Sequence, residues 1–206
     1  CCAKEFVGDQ AMLLMLSDHV YISTLPGKSC AAQLVDLARK EACSVSAVSP
    51  TREHLVGRYG TLTGKRVHDQ PGLYQVEKII EKPSISQAEL ELLTPGLRAG
   101  HYLCIFGMNV LTPRIFGLLE ESLTGGDKRN GGYQLTPWMS ELAQREKYLA
   151  LEVQGRRVDI GARLGLLRAQ VALGLAGDER HEVLAAVTEM LVEDAAACTG
   201  KPGEGS

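Results

Sequence analysis

Two aspartates stand where a carboxylate could hold a metal ion. Asp18 follows the apolar run 11–16, and Asp159 lies just past a strand-like stretch and just before a helical pattern. A carboxylate at the exit of a strand either caps the next turn or helix, or offers oxygen to a cation. Both interpretations stay open from the residues alone. If the two strands are neighbours, one crevice could receive both carboxylates, and a divalent ion would hold them together.

A carboxylate and an ammonium group stand side by side in the stretch 73–83, LYQVEKIIEKP. Its β-branched residues favour a strand. Pro83 cannot donate a hydrogen bond to a neighbouring strand, so it is expected to close this one. Glu81 and Lys82 then lie at the strand end, where open α/β sheets bind ligands. The alternative is a solvated ion pair without function. Upstream, Gly60 permits close approach of the backbone to a ligand, or a simple bend.

The elements that would position these residues alternate along the chain, which predicts an α/β sheet. Strands are predicted at 11–16, 43–48, 73–83, 101–106 and 148–153, with a hairpin loop at 64–72. Helices are predicted at 29–42, 87–93, 113–123, 137–146, 163–175 and 179–193. The run 11–16 is expected to be buried on both faces, and Pro50 to stop the second strand. Ser29 and Ser86 are the expected helix caps.

Composition narrows the class of protein. The 206 residues are 45% hydrophobic and 23% charged, and the net charge of −3 gives no reason to expect a nucleic-acid or membrane partner. The six cysteines form no CxxC pair and predict reduced, mostly buried thiols in a cytoplasmic protein. The chain starts without methionine, so we expect it to be part of a longer protein.

Six segments together resemble a known family: LLMLSDHVY at 13–21, RYGTL at 58–62, IIEKP at 79–83, YLCIFGMNVLTPRIFGLLE at 102–120, QLT at 134–136, and GRRVDIGARLGLLRAQVALGL at 155–175. In this order they resemble the sugar-1-phosphate nucleotidyltransferases, and among them the bacterial-type UDP-glucose pyrophosphorylases. The resemblance implies a Rossmann-like mixed sheet flanked by helices, N-terminally incomplete here. It also implies transfer of a nucleotidyl group from UTP, or another nucleoside triphosphate, to glucose 1-phosphate or another sugar 1-phosphate, with release of pyrophosphate.

The resemblance also implies roles for particular residues. Asp18 and Asp159 match the family's two Mg²⁺-binding carboxylates, and Asp159 and Lys82 are the expected catalytic residues. Lys82 matches the lysine on the sugar phosphate, Glu81 the carboxylate that bonds sugar hydroxyls, and Gly60 the glycine whose amide meets the sugar. His19, beside Asp18, is interpreted as a spectator.

This sequence departs from the family at several positions. The glycine-rich triphosphate loop, the base-reading residues and the first strands of the family are absent from the printed chain, a Glu expected before QLT is replaced by Gly132 or Tyr133, and Ala162 stands where a small hydroxyl residue is common. A sugar-phosphate-binding homologue without catalysis, or a sibling enzyme with another base, therefore stays open. The predicted domains are a nucleotidyltransferase domain at 1–176, a C-terminal helix at 177–197 that packs on the core or on a second subunit, and a flexible tail at 198–206.

Overall fold

The computed structural model describes residues 2–125 and 134–199. Its strands are β1 (Met12–Met15), β2 (His19–Ser23), β3 (Ser44–Arg52), β4 (Thr61–Arg66), β5 (Leu73–Ile80), β6 (His101–Leu111), β7 (Tyr148–Glu152) and β8 (Gly155–Asp159). Its helices are α1 (Lys4–Val7), α2 (Cys30–Glu41), α3 (Ile85–Glu91), α4 (Arg114–Gly125), α5 (Thr136–Arg145), α6 (Gly165–Gly174) and α7 (Arg180–Thr199), with a 3₁₀ helix at Glu53–Arg58. The predicted alternation of strands and helices is confirmed.

The chain forms two compact units. The first contains the described residues up to Ser17 and those of Ser23–Gly155, and the second contains Asp18–Ile22 and the described residues from Arg156 onward. The domain limits proposed from the sequence stay a prediction. Helix α7 reaches Thr199, and the remainder of the predicted flexible tail, 200–206, lies outside the described residues. Positions 132 and 133, where a Glu was expected before the QLT segment, lie outside the described residues as well.

A mixed sheet forms the first unit. Its strands run in the order β1-β6-β3-β7-β5-β4, with a further pairing between β6 and β4. The β3–β7 pair is parallel, and the other pairs are antiparallel. The core beneath it holds fully buried side chains from several elements, among them Leu62, Tyr74, Leu103, Ile115, Met139 and Tyr148. The mixed α/β sheet predicted from the sequence is therefore confirmed.

A bulge in β5 interrupts the regular alternation of buried and exposed side chains along this strand. The register with β4 slips between Thr63 and Gly64, which face Lys78 and Val76 respectively. The extra residue moves the side chains that follow it to the opposite face of the strand. Val76 and Ile79 therefore both enter the core, although they are an odd number of positions apart. Gly64 is required at the bulge, because a Cβ there would lie 2.2 Å from the carbonyl oxygen of Gln75.

Four expectations about elements of the first unit are wrong. Strand β1 is not buried on both faces: Leu13 and Met15 are 38% and 45% exposed. Strand β3 continues through Pro50, which faces Leu103 of β6; β7 pairs only with Ser44–Val48, so β3 has one open side at Pro50, where a proline is tolerated. Helix α3 is capped by Ser84 rather than Ser86, the Ser84 hydroxyl accepting a hydrogen bond from the Gln87 amide at 3.1 Å. Strand β5 ends at Ile80, three residues before Pro83.

The second unit combines the two-stranded sheet β2-β8 with helices α6 and α7. The amphipathic pattern at 163–175 predicts a leucine face for α6, but Leu164 and Leu167 are 59% and 56% exposed. The buried positions are Gly165 and Ala169. Gly165 lies so near the end of β8 that a Cβ there would be 2.1 Å from the carbonyl oxygen of Asp159. Small residues therefore face inward because the backbones approach closely. No helix within 2–125 or 134–199 has the length and apolar character needed to cross a bilayer.

Candidate functional site

The second unit brings the two predicted metal-binding aspartates together. Asp18 lies in the turn before β2, and Asp159 is the last residue of β8. Pairing of the two strands places these ends side by side, and the Ile160 amide donates a hydrogen bond to the Asp18 carbonyl oxygen at 2.9 Å. One ligand atom from each of Asp18, His19 and Asp159 lies within 4.8 Å of the others. This cluster is called the acid–imidazole cluster below.

The Asp159 side chain is held by the backbone that follows it. Its Oδ1 atom accepts hydrogen bonds from the amides of Gly161 at 2.9 Å and Ala162 at 3.2 Å. This is the turn-capping role that the sequence left open, and it fixes the orientation of the carboxylate. A hydroxyl side chain at position 162 is not needed for this contact, since the backbone amide makes it. The Asp18 carboxylate is 60% exposed and so remains open to a ligand.

His19 joins the cluster although the sequence interpretation made it a spectator. Its side chain is 7% exposed, and its Nδ1 atom lies 3.4 Å from Asp18 Oδ1. Burial, followed by the positive charge of Arg157, lowers the pKa of the imidazole, while Asp18 and Asp159 act in the opposite direction. The only sequence signal for this role was adjacency to Asp18, because burial cannot be read from a single residue type.

The first unit brings Gly60, Glu81 and Thr136 together. Glu81 Oε2 accepts a hydrogen bond from Thr136 Oγ1 at 2.5 Å. A Cβ on Gly60 would lie 3.2 Å from the same carboxylate oxygen and 3.0 Å from Ile105 Cδ1. Two of the residues predicted to contact the sugar, Gly60 and Glu81, therefore lie next to each other. Thr136 was missed as a site residue, although the QLT segment contained it.

Lys82 follows in a strained backbone conformation. Its φ angle is +44°, and its amide donates a hydrogen bond to the Tyr59 carbonyl oxygen at 3.2 Å. This left-handed conformation ends β5, because a strand cannot continue through it. The ammonium group lies 4.0 Å from Glu81 Oε1, and the side chain is 62% exposed. Strain in a non-glycine residue often marks a functional position.

The two groups of residues suit different chemistry. The acid–imidazole cluster offers two carboxylates and one imidazole, which are donors for a divalent cation. Glu81 can accept hydrogen bonds from hydroxyl groups, and Lys82 can place a positive charge against a phosphate. Donors of these kinds suit charge neutralisation and positioning.

Comparison with known proteins gives one consistent result. No protein-family model matches the chain. A putative UTP–glucose-1-phosphate uridylyltransferase from Methanocaldococcus jannaschii is 30% identical over 171 residues, covering 83% of this chain and 53% of the relative. The UTP–glucose-1-phosphate uridylyltransferase of Bacillus subtilis is 30% identical over 196 residues, covering 93% of this chain and 59% of the relative. The chain thus spans little more than half the length of these relatives.

Solved structures show the same fold. A UTP-bound UDP-glucose pyrophosphorylase from Acinetobacter baumannii has a TM-score of 0.70 at 23% identity, covering 91% of this chain and 59% of that one. A UDP-glucose pyrophosphorylase complexed with UDP-glucose has a TM-score of 0.67 at 24% identity, covering 83% of this chain and 58% of that one. The chain shares the fold of these structures, and the Rossmann-like mixed sheet flanked by helices that is expected from the sequence is confirmed.

Proposed function

Because this chain matches the UTP–glucose-1-phosphate uridylyltransferases in sequence and in fold, we propose that it supplies the sugar-phosphate and metal-binding part of such an enzyme. The reaction is transfer of a uridylyl group from UTP to glucose 1-phosphate, which yields UDP-glucose and pyrophosphate. The observation that carries the proposal is the acid–imidazole cluster, in which Asp18 and Asp159 come within 4.8 Å although they are distant in sequence.

The chemistry requires little of the protein beyond positioning and charge. The attacking atom is an oxygen of the sugar phosphate, which is already anionic, so no strong general base is needed. Lys82 holds that phosphate through its positive charge, and Glu81 accepts hydrogen bonds from the sugar hydroxyls. Thr136 orients Glu81 by donating to Oε2, and Gly60 leaves room beside that carboxylate. Asp159 and Lys82 are the catalytic residues of this proposal.

Asp18 and Asp159 are proposed to hold Mg²⁺. Two carboxylates are the donor set that Mg²⁺ uses with phosphate ligands and water, so the residues present suit this ion. When bound, the ion neutralises charge on the triphosphate. The turn that holds Asp159 Oδ1 through two backbone amides orients the carboxylate before substrate arrives. The proposed setting is cytoplasmic, without nucleic acid or membrane partners.

The proposed base and sugar come from the names of the relatives. The curated relatives are named for UTP and glucose 1-phosphate. One structural neighbour is a putative glucose-1-phosphate thymidylyltransferase from Bacillus anthracis, with a TM-score of 0.56 at 16% identity. Greater similarity to the uridylyl enzymes favours UTP. A purely sugar-phosphate-binding role is not favoured, because it gives no reason for the paired carboxylates of the second unit.

The experiment is to measure pyrophosphate release with UTP, glucose 1-phosphate and Mg²⁺, using both this chain and the product of the longest open reading frame that contains it. Calorimetry with glucose 1-phosphate on the same samples provides a readout that does not need turnover. Turnover with UTP in either sample supports the proposal, and dTTP and ATP report base preference. Glucose 1-phosphate binding without turnover in either sample would instead support a binding protein.

A further inference from the structure

The acid–imidazole cluster contains one more donor than two carboxylates. The His19 side chain is more than nine-tenths buried, and its Nδ1 atom has no hydrogen-bond partner within the described residues. Leaving a buried polar atom unpaired costs free energy, so such an atom in a folded protein calls for an explanation. Its position 3.4 Å from Asp18 Oδ1 aims it at the same space as the carboxylates.

The separations within the cluster suit a shared cation. Ligands about 2.1 Å from an octahedral ion lie about 3.0 Å apart when adjacent and about 4.2 Å apart when opposite. The donor atoms of Asp18, His19 and Asp159 lie within 4.8 Å of one another. Small side-chain rotations would therefore bring all three to one ion.

We propose that His19 is a third protein ligand beside Asp18 and Asp159, and that the site therefore prefers Mn²⁺ to Mg²⁺. This inference rests on the metal site of the proposed function. Mg²⁺ strongly favours oxygen donors, whereas first-row transition ions accept imidazole nitrogen together with carboxylate oxygen. A site built from two carboxylates and one imidazole should thus discriminate between two ions of equal charge through the nitrogen donor.

The test measures metal binding directly. Mn²⁺ alone is titrated into the protein and followed by electron paramagnetic resonance, with Mg²⁺ as competitor. Pulsed measurements on the bound Mn²⁺ detect magnetic coupling to a directly attached imidazole nitrogen. We expect nitrogen coupling and an affinity for Mn²⁺ about tenfold or more above that for Mg²⁺. Bound Mn²⁺ without nitrogen coupling, equal affinities for the two ions, or absence of Mn²⁺ binding would each overturn the proposal.

A matched pair of variants locates the nitrogen donor. His19→Gln is expected to abolish the nitrogen coupling and the preference for Mn²⁺, while His181→Gln, an exposed histidine on α7, should change neither. Thermal unfolding of both variants reports whether they fold. If His19→Gln does not fold, the unsubstituted protein labelled with ¹⁵N-histidine is measured instead. A histidine bound to Mn²⁺ gives a different coupling pattern when its nitrogen isotope changes.

The outcomes separate this inference from the proposed function. If bound Mn²⁺ shows nitrogen coupling but the protein never releases pyrophosphate, the assignment of His19 as a ligand is supported and the enzymatic proposal is refuted. Turnover on Mg²⁺ together with bound Mn²⁺ that lacks nitrogen coupling would keep the enzyme and remove the His19 assignment.

Discussion

At the scale of single residues, the two proposed catalytic residues differ in what the fold constrains. The Asp159 side chain is held by backbone amides that donate to one carboxylate oxygen. At Lys82 the backbone is strained, with a φ angle of +44°, while the side chain is mostly exposed. Substitutions can therefore separate the charge of each residue from its effect on the fold.

For Asp159, the informative change is Asp159→Asn. The amide oxygen of asparagine can still accept hydrogen bonds from the amides of Gly161 and Ala162, so the melting temperature should change little, while the negative charge proposed to face Mg²⁺ is lost. Because a bound metal is worth several kcal/mol to the transition state, we expect turnover of the active enzyme to fall about a hundredfold or more. Pyrophosphate release measures this, with Asp178→Asn as the control. Undiminished turnover would remove Asp159 from the metal site.

For Lys82, two substitutions distinguish charge from strain. Lys82→Ala and Lys82→Gly both remove the ammonium group, and only glycine accepts φ +44° without strain. We expect both to raise the KM for sugar 1-phosphate about tenfold or more, since a hydrogen bond to a charged group contributes about 1.5–3 kcal/mol. Lys82→Gly should also be the more stable of the two, by about 1 kcal/mol. Steady-state kinetics and thermal unfolding provide the two readouts. An unchanged KM would refute contact with the sugar phosphate.

At the scale of elements, the sequence predicted whether a segment is a strand or a helix better than where the segment ends or which of its faces is buried. Apolar periodicity identified the strands and helices, because burial of one face imposes that pattern. The ends and faces depended on contacts that the sequence does not contain: β7 pairs with β3 only as far as Val48, which leaves one side of β3 open at Pro50, and α6 buries Gly165 close to Asp159 rather than its leucines. For the site, Asp18, Asp159, Glu81, Lys82 and Gly60 came from motif resemblance. The position of His19 in the acid–imidazole cluster and the contact between Thr136 and Glu81 could not be predicted, because burial and spatial neighbours exist only in the folded chain.

Helix α3 allows a direct test of one such end. Ser84 accepts a hydrogen bond from the Gln87 amide, whereas Ser86, the cap expected from the sequence, lies inside the helix. Ser84→Ala should therefore lower the free energy of unfolding by about 1 kcal/mol. Ser86→Ala is the control and should be neutral or slightly stabilising, since alanine has the higher helix propensity. Chemical denaturation of both variants measures the difference. Equal effects would show that the Ser84 hydroxyl does not stabilise the helix.

At the scale of the whole molecule, the thiols report on folding. Cys30, Cys43 and Cys104 are buried and Cys2 is exposed, and none of these four forms a disulfide. Burial raises the pKa of the Cys43 thiol to about 11 and also raises that of Cys30. The mostly buried thiols predicted from the sequence are confirmed for these residues.

Thiol labelling therefore provides a stability assay. At neutral pH, Cys2 should react with a thiol reagent within the native protein, while Cys30, Cys43 and Cys104 should react only after unfolding, because reaction needs an accessible thiolate. Peptide mapping by mass spectrometry identifies the labelled positions. A Cys2→Ser variant checks that the early reaction belongs to that residue. Early labelling of Cys43 would show that its surroundings open readily.

Strand β1 has a consequence for how the purified chain behaves in solution. Within the described residues it pairs only with β6, and its exposed face carries Leu13 and Met15. A strand with one open side is a template for intermolecular pairing, and apolar side chains strengthen such contacts. Light scattering of this chain should therefore rise with concentration, and Leu13→Lys should suppress the rise through charge repulsion. The open edge of β1 is therefore expected to promote association between copies of the chain at high concentration.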